Sequence, residues 1–136
     1  MSELGKVYTV RQGEVNDLPF IMSTWLRGLY YGNAFFKLMP KSIFMDNYHK
    51  VLEALINKSI VNVACLVEDR DVILGYSILS TDEETVHWCF VKSAFRNRGI
   101  SKDLLPSNIA TFTHFSTVGL DIAKKHPDCV FNPFCV

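Results

Sequence analysis

The sequence predicts an α/β fold in one domain over residues 1–136: a central, mostly antiparallel twisted sheet flanked by helices. Three observations predict it. Two segments of the first half carry apolar residues at helical spacing. Between Val61 and Lys92 the pattern changes to strand-length apolar runs joined by short charged turns, and short connectors between adjacent strands imply an antiparallel meander. Finally, the 136 residues are 49% hydrophobic and 21% charged. That balance is too apolar for disorder and large enough to bury one core without metal or disulfide staples.

The elements follow in order. Val7–Arg11 reads as a short first strand. Asn16-Asp17-Leu18-Pro19 opens a helix, with an Asn or Asp cap and proline in the first turn. Leu18, Ile21, Met22, Trp25, Leu26 and Leu29 form its apolar stripe, and Gly28 and Gly32-Asn33 mark its end. A connector holding Tyr30, Tyr31, Phe35 and Phe36 runs to Pro40. Ser42 is the expected cap of a second helix with the stripe Phe44, Tyr48, Val51, Leu52, Leu55 and Ile56. Val61–Val67, Val72–Ser80 and Thr85–Lys92 are the strands of the meander, and Gly75 marks a bulge or kink in the middle one. The turns between them, Glu68–Asp71 and Thr81–Glu84, are charged. Arg96–Ser101 is a glycine-containing turn into a helix from Ser101, which Pro106 cuts short or kinks. Ile109–Phe115 reads as a strand, Thr117–His126 as a short helix and Cys129–Phe134 as a last extended piece.

Fourteen Lys plus Arg balance fourteen Asp plus Glu. Neutrality argues against a general nucleic-acid or anionic-membrane binder, because both depend on bulk positive charge. There is no long uncharged apolar run to span a bilayer. The N-terminus MSELGKVYTV carries no export pattern, so a cytoplasmic location with free thiols is expected. Cys65 and Cys89 lie in strand-like runs and read as small buried hydrophobes, while Cys129 and Cys135 stand too far apart for a C-x-x-C site. His87 and Cys89 offer two metal ligands, but no second pair stands at zinc-finger spacing, so no metal is expected.

The zero sum conceals a local excess. From Val86 to Lys102 there are four basic residues, Lys92, Arg96, Arg98 and Lys102, and no acidic one, leaving ten basic against fourteen acidic elsewhere. They sit where a strand gives way to a helix start. Free N–H groups and the helix dipole favour an anion there, and Gly99 admits close approach of a phosphate. A solvated basic turn is the alternative reading of the same residues.

The order of residues adds to this. Arg96-Asn-Arg98-Gly99-Ile100-Ser101 resembles the R/Q-x-x-G-x-G/A motif of the GCN5-related N-acetyltransferase superfamily, whose turn grips the pyrophosphate of acetyl-coenzyme A. Phe90-Val91-Lys92-Ser93-Ala94-Phe95 is similar to that family's lead-in, and the element order matches over essentially the whole chain. Within the family the chain most resembles short acetyltransferase-like proteins of bacteriophages and prophages. The resemblance rests on Pro19–Leu26, Thr113-His114 and Asn132-Pro133-Phe134. It implies that the backbone of Arg98, Gly99, Ile100 and Ser101, with Arg96 and Lys102, holds the pyrophosphate, and that the backbone of Phe90, Val91 and Lys92 pairs with the pantetheine arm.

Two departures stand out. Ser101 replaces the usual Gly or Ala. No tyrosine follows Tyr76, whereas many family members place one beyond the motif to protonate the leaving thiolate. A base is also needed to deprotonate an amine. His87 is the first candidate, because an imidazole of ordinary pKa is mostly neutral at pH 7. Glu84 at the strand start is the second, and His114 belongs to the strand that should lie beside the thiol end. Each has a structural alternative: a half-buried His87 or His114 bonded to its neighbours, and a solvated hairpin tip at Glu84. By alternation His87, Cys89 and Val91 should share one face of their strand, with Trp88 and Phe90 on the other. The expected function is acetyl-coenzyme A-dependent acetylation of an amine, borne by a small molecule or a protein. The alternative is a catalytically inactive module of the same fold that binds a partner, such as a phage host protein, through the Tyr30–Phe36 connector.

Overall fold

The computed structural model describes residues 7–114, 120 and 123–136. Strand β1 (Tyr8–Gln12) leads through a 3-10 turn, Val15–Asp17, into α1 (Leu18–Gly32); a second such turn, Phe36–Leu38, precedes α2 (Lys41–Asn57). The meander is β2 (Ile60–Leu66), β3 (Ile73–Leu79) and β4 (Thr85–Val91). A third 3-10 turn, Ser93–Phe95, leads to α3 (Ile100–Leu104), and β5 (Thr111–Phe112) and β6 (Val130–Phe131) follow. The sheet runs β1-β2-β3-β4-β5-β6, antiparallel through β4 and parallel from β4 to β6. The helix expected over 117–126 lies largely outside the described residues.

The sheet is covered on both faces. On one, Ile21, Trp25 and Leu29 of α1 and Phe44, Leu52 and Leu55 of α2 pack on Val63, Tyr76, Ile78 and Trp88. On the other, Ile100 and Leu104 of α3 pack on Ala64, Leu74, Leu79, Val86, Cys89 and Val91. Every residue of β3 is buried, as expected of a central strand apolar on both sides. Cys65 and Cys89 are buried free thiols.

Two bulges interrupt the meander. Ala64 pairs with Gly75 and Cys65 with Ile73, so Leu74 is the extra residue of β3, next to the glycine that signalled it. A Cβ on Gly75 would stand 2.5 Å from the Phe90 carbonyl oxygen. The second bulge has no glycine to announce it. Ile78 pairs with Trp88 and Leu79 with Val86, which leaves His87 as an extra residue of β4.

Several local expectations are corrected. Helix α1 runs through Gly28 and includes Tyr30 and Tyr31, ending only at Gly32. The Asp17 carboxylate does not cap α1. It accepts two 2.8 Å bonds from the Arg11 guanidinium and one of 2.7 Å from the Glu14 N–H. These hold its pKa below the ordinary range against the opposing effect of burial. Helix α2 begins at Lys41 after Pro40, so Ser42 lies inside it, and Val51 is half exposed because the apolar stripe is narrower than its spacing suggested. The last two strands are two-residue pieces, shorter than the runs 109–115 and 129–134.

Candidate functional site

The end of β4 and the turn after it form one surface. Asn97 and Gly99 both have positive φ, 64° and 83°, which re-aims the backbone twice within three residues. Among the described residues, the N–H groups of residues 97–102 donate no backbone hydrogen bond. A Cβ on Gly99 would meet nothing within 4 Å, so the backbone there is open to approach. Ile100 is buried and anchors α3 to the sheet, offering only its N–H to the turn, while Arg96, Arg98 and Lys102 are exposed. The Arg96 Nε donates to the Val91 carbonyl at 2.9 Å, which ties the turn to β4. The Arg98 guanidinium lies over the Phe95 ring at 5.6 Å, and the Lys92 ammonium over Phe20 at 5.2 Å. The predicted cofactor residues Arg96–Lys102 are thus one cationic, donor-rich turn.

The strand ahead of this turn, β4, has β5 as its parallel neighbour. They pair at Thr85–Thr111 and Val86–Phe112, and the last bond between them among the described residues runs from the Thr113 N–H to the Val86 carbonyl at 3.1 Å. Lys92 N–H donates to the Leu74 carbonyl and Phe90 pairs with Tyr76, so the backbone of Phe90 and Lys92 faces β3. Alternation turns the Val91 backbone to the open edge, in agreement with its carbonyl accepting from Arg96. Of the three residues expected to meet a pantetheine arm, Val91 alone presents its backbone to that edge.

At the end of this described pairing, His87 and His114 come together. The Thr113 hydroxyl oxygen lies 2.9 Å from His87 Nδ1 and 2.8 Å from His114 Nδ1. His87 is 4% exposed and Thr113 3%. The His114 ring meets Trp25 edge-on at 5.5 Å, and Trp25 stacks on Trp88 at 5.9 Å. Burial pushes the His87 pKa down to about 4, helped by the charge of Lys58. Burial does the same at His114, also to about 4, with His87 adding to it and a contact to the His87 backbone opposing it. Both rings are therefore neutral at pH 7, each with one nitrogen protonated and one carrying a lone pair. Glu84 is not part of this cluster. It is exposed on the β3–β4 hairpin, where its carbonyl accepts from the Ala110 and Thr111 N–H groups, roughly 10 Å along the strand from His87. The Cys89 thiol is pushed up to about 12 by burial and stays protonated, so it is no nucleophile.

The expected alternation holds for Cys89, Val91, Trp88 and Phe90, and the bulge interrupts it at His87. Cys89 and Val91 do share one face and Trp88 and Phe90 the other, yet Val86 joins the Cys89 face. His87 is the residue at which the pattern changes. Tyr30 is buried with its hydroxyl on the Met39 carbonyl, a packing role, while Tyr31 is exposed and accepts from Lys41 Nζ at 2.9 Å. Thr113, which bridges the two imidazoles, was the least conspicuous residue in sequence. Its signal was a hydroxyl next to a histidine on the strand expected beside β4. Ser116 and Thr117, other hydroxyl donors after the motif, lie outside the described residues.

No family model and no curated protein sequence matches the chain. Solved structures do. A proposed acetyl transferase of Pyrococcus furiosus is 18% identical over 92% of this chain and 81% of its own, with a TM-score of 0.59. A proposed acetyltransferase of Clostridium difficile is 13% identical over 90% of this chain and 88% of its own, with a TM-score of 0.53. A Rhodopseudomonas palustris protein described as a GCN5-related N-acetyltransferase is 12% identical over 73% of this chain, with a TM-score of 0.51. The chain spans 61% of the length of that protein and of YjaB from Escherichia coli. At these identities the likeness is one of fold, and the fold is that of the GCN5-related N-acetyltransferases. No helix among the described residues is long and apolar enough to cross a membrane.

Proposed function

We propose that the chain is an acetyl-coenzyme A-dependent N-acetyltransferase. The observation that carries the proposal is the row of N–H groups at residues 97–102 that donate no backbone hydrogen bond, flanked by Arg96, Arg98 and Lys102 at the open end of β4. Outward amides, a glycine without a clash and three cations suit a diphosphate. The Val91 backbone, turned away from β3, suits an extended amide-containing arm. When bound, acetyl-coenzyme A supplies an acetyl group already activated as a thioester. The chain's own residues then have two tasks. The Val91 N–H, turned away from β3, can donate to an amide carbonyl of the extended arm. His87, neutral and buried at the end of the described β4–β5 pairing, accepts the proton of the attacking amine, with Glu84 as a second base for an acceptor entering from the hairpin side.

The test is thermal melting with and without acetyl-coenzyme A. A ligand at 100 times its dissociation constant stabilises by about 2.7 kcal/mol. Arg98→Glu should abolish the shift, and no shift of the unmodified chain at millimolar cofactor would overturn the reading.

A second reading keeps the fold and the cofactor turn without chemistry. It is favoured by the exposed Tyr31, Phe35 and Leu38 around the α1–α2 connection. On that reading the chain is a binding module for another protein, and the resemblance to phage-encoded chains makes a host protein the natural partner. Cofactor binding with no acetyl transfer to any of a panel of small amines and lysine peptides would support it.

A further inference from the structure

We propose that Thr113 joins His87 and His114 into a single proton relay that serves as both base and acid of the transfer; the proposal rests on the acetyltransferase reading. The geometry is restrictive. One buried hydroxyl lies within hydrogen-bond distance of the Nδ1 atoms of two imidazoles, 2.9 Å from His87 and 2.8 Å from His114. A hydroxyl has one proton, so it donates to one ring and accepts from the other. If both Nδ1 atoms carried lone pairs, one contact would be repulsive. If both carried protons, the hydroxyl proton of a residue 3% exposed would have no acceptor among the described residues. The rings are therefore held in opposite tautomers. One ring presents a lone pair at Nε2 and the other a proton at Nε2.

That arrangement offers a proton acceptor and a proton donor together, and the leaving sulfur needs a proton. As the amine nitrogen bonds to the acetyl carbon, its proton passes to the lone pair on the first Nε2. The first ring's Nδ1 proton moves to the Thr113 oxygen, and the hydroxyl proton moves to the second ring's Nδ1. The second ring's Nε2 proton passes to sulfur as the carbon–sulfur bond breaks. One proton enters and one leaves, no charge accumulates on the relay, and the two rings finish in exchanged tautomers. Loss of a proton to water at the first Nε2, gain of one at the second, and the reverse shift of the Nδ1 and hydroxyl protons through Thr113 restore the starting state. The cluster lies at the end of the described β4–β5 pairing, where the Thr113 N–H bonds to the Val86 carbonyl.

The test begins without cofactor. Nitrogen-15 spectra of the imidazoles at neutral pH should show one ring protonated at Nδ1 and the other at Nε2, in the unmodified chain and in Thr113→Ser. In Thr113→Val, which keeps the shape and removes the hydroxyl, the pairing should be lost. Identical tautomers in the unmodified chain, or pairing that survives in Thr113→Val, would overturn the relay. With acetyl-coenzyme A and a panel of primary amines, Thr113→Val should lower kcat by roughly 100-fold with KM unchanged, and Thr113→Ser should restore most of it. Matched tautomers in a chain that transfers acetyl would overturn the relay alone. Paired tautomers with bound cofactor and no transfer to any amine would overturn the transferase reading, and the relay's role with it.

Discussion

Replacing Gly28 with alanine sets helix propensity against packing, and the geometry decides the sign. Gly28 lies within α1, where alanine in place of glycine gains about 1 kcal/mol. Its Cβ would stand 2.7 Å from Trp88 Cζ2 and 3.2 Å from Cη2, whereas ordinary contacts begin near 3.4 Å. The indole cannot swing away freely: Trp88 is 5% exposed and stacks on Trp25, which is fully buried and touches His114. Forcing a methyl into such a site costs about 1–3 kcal/mol. The net expectation is a loss of about 1 kcal/mol, a fall of several degrees in Tm for a chain of this size. Gly32 on the same helix has nothing within 4 Å of its Cβ position, so Gly32→Ala should stabilise, by up to about 1 kcal/mol. Urea unfolding at constant m-value gives both numbers. Because Trp25 and Trp88 are the only tryptophans, near-ultraviolet dichroism reads the same contact directly. Equal stabilisation by both alanines, with an unchanged tryptophan spectrum, would refute the close approach of α1 to β4.

Acid sensitivity should reveal the two histidines. Each has a folded pKa of about 4 against an ordinary 6.5, so between those values the unfolded chain binds protons that the folded chain refuses. Stability should be full above pH 6.5 and fall as pH drops through the window, by about 1.4 kcal/mol per pH unit for each ring. Asp17 adds to this only below its ordinary 3.8, because Arg11 holds its pKa down. Urea midpoints across the range measure the slope; a flat profile from pH 6.5 to 4.5 would contradict the burial of both rings, and His114→Gln should remove about half of it. Gly99→Ala places a Cβ on a residue with φ of 83°, which costs roughly 1–2 kcal/mol of backbone strain with no clash to add. It should also shrink the melting shift produced by acetyl-coenzyme A, and unchanged melting in both respects would contradict the left-handed turn.

What was legible in sequence follows the reach of each signal. Burial periodicity is local, and it located both long helices, the meander and the buried Cys65 and Cys89. Charge order located the Arg96–Lys102 turn, since cations placed ahead of a helix are unfavourable unless something compensates them. Signals that depend on a partner failed. Gly28 resembles a helix stop, but its missing side chain makes room for Trp88, a residue 60 positions away. Asp17 resembles a cap, but Arg11 across the turn holds its carboxylate. Ser42 fits a cap by type, yet Pro40 already sets the entry into α2. Val51 fits the stripe by spacing, but nothing covers that side of the helix enough to bury it.

The bulge at His87 is the most consequential of these tertiary choices. A one-residue shift exchanges both the faces of a strand and the edges to which its backbone groups point. Before the bulge the Glu84 and Val86 carbonyls point to β5 and hold it. Had β4 continued without the extra residue, Trp88 and Phe90 would have gone on offering carbonyls to β5, and Val91 would have faced β3. With the bulge, Phe90 and Lys92 face β3, Val91 turns outward to accept from Arg96, and Trp88 enters the α1 side of the core to meet Trp25 and Gly28. The same inserted residue is the imidazole that reaches Thr113. The backbone edge proposed for an extended arm and the imidazole proposed as proton acceptor therefore both depend on a single insertion, so neither can be moved along the strand without the other.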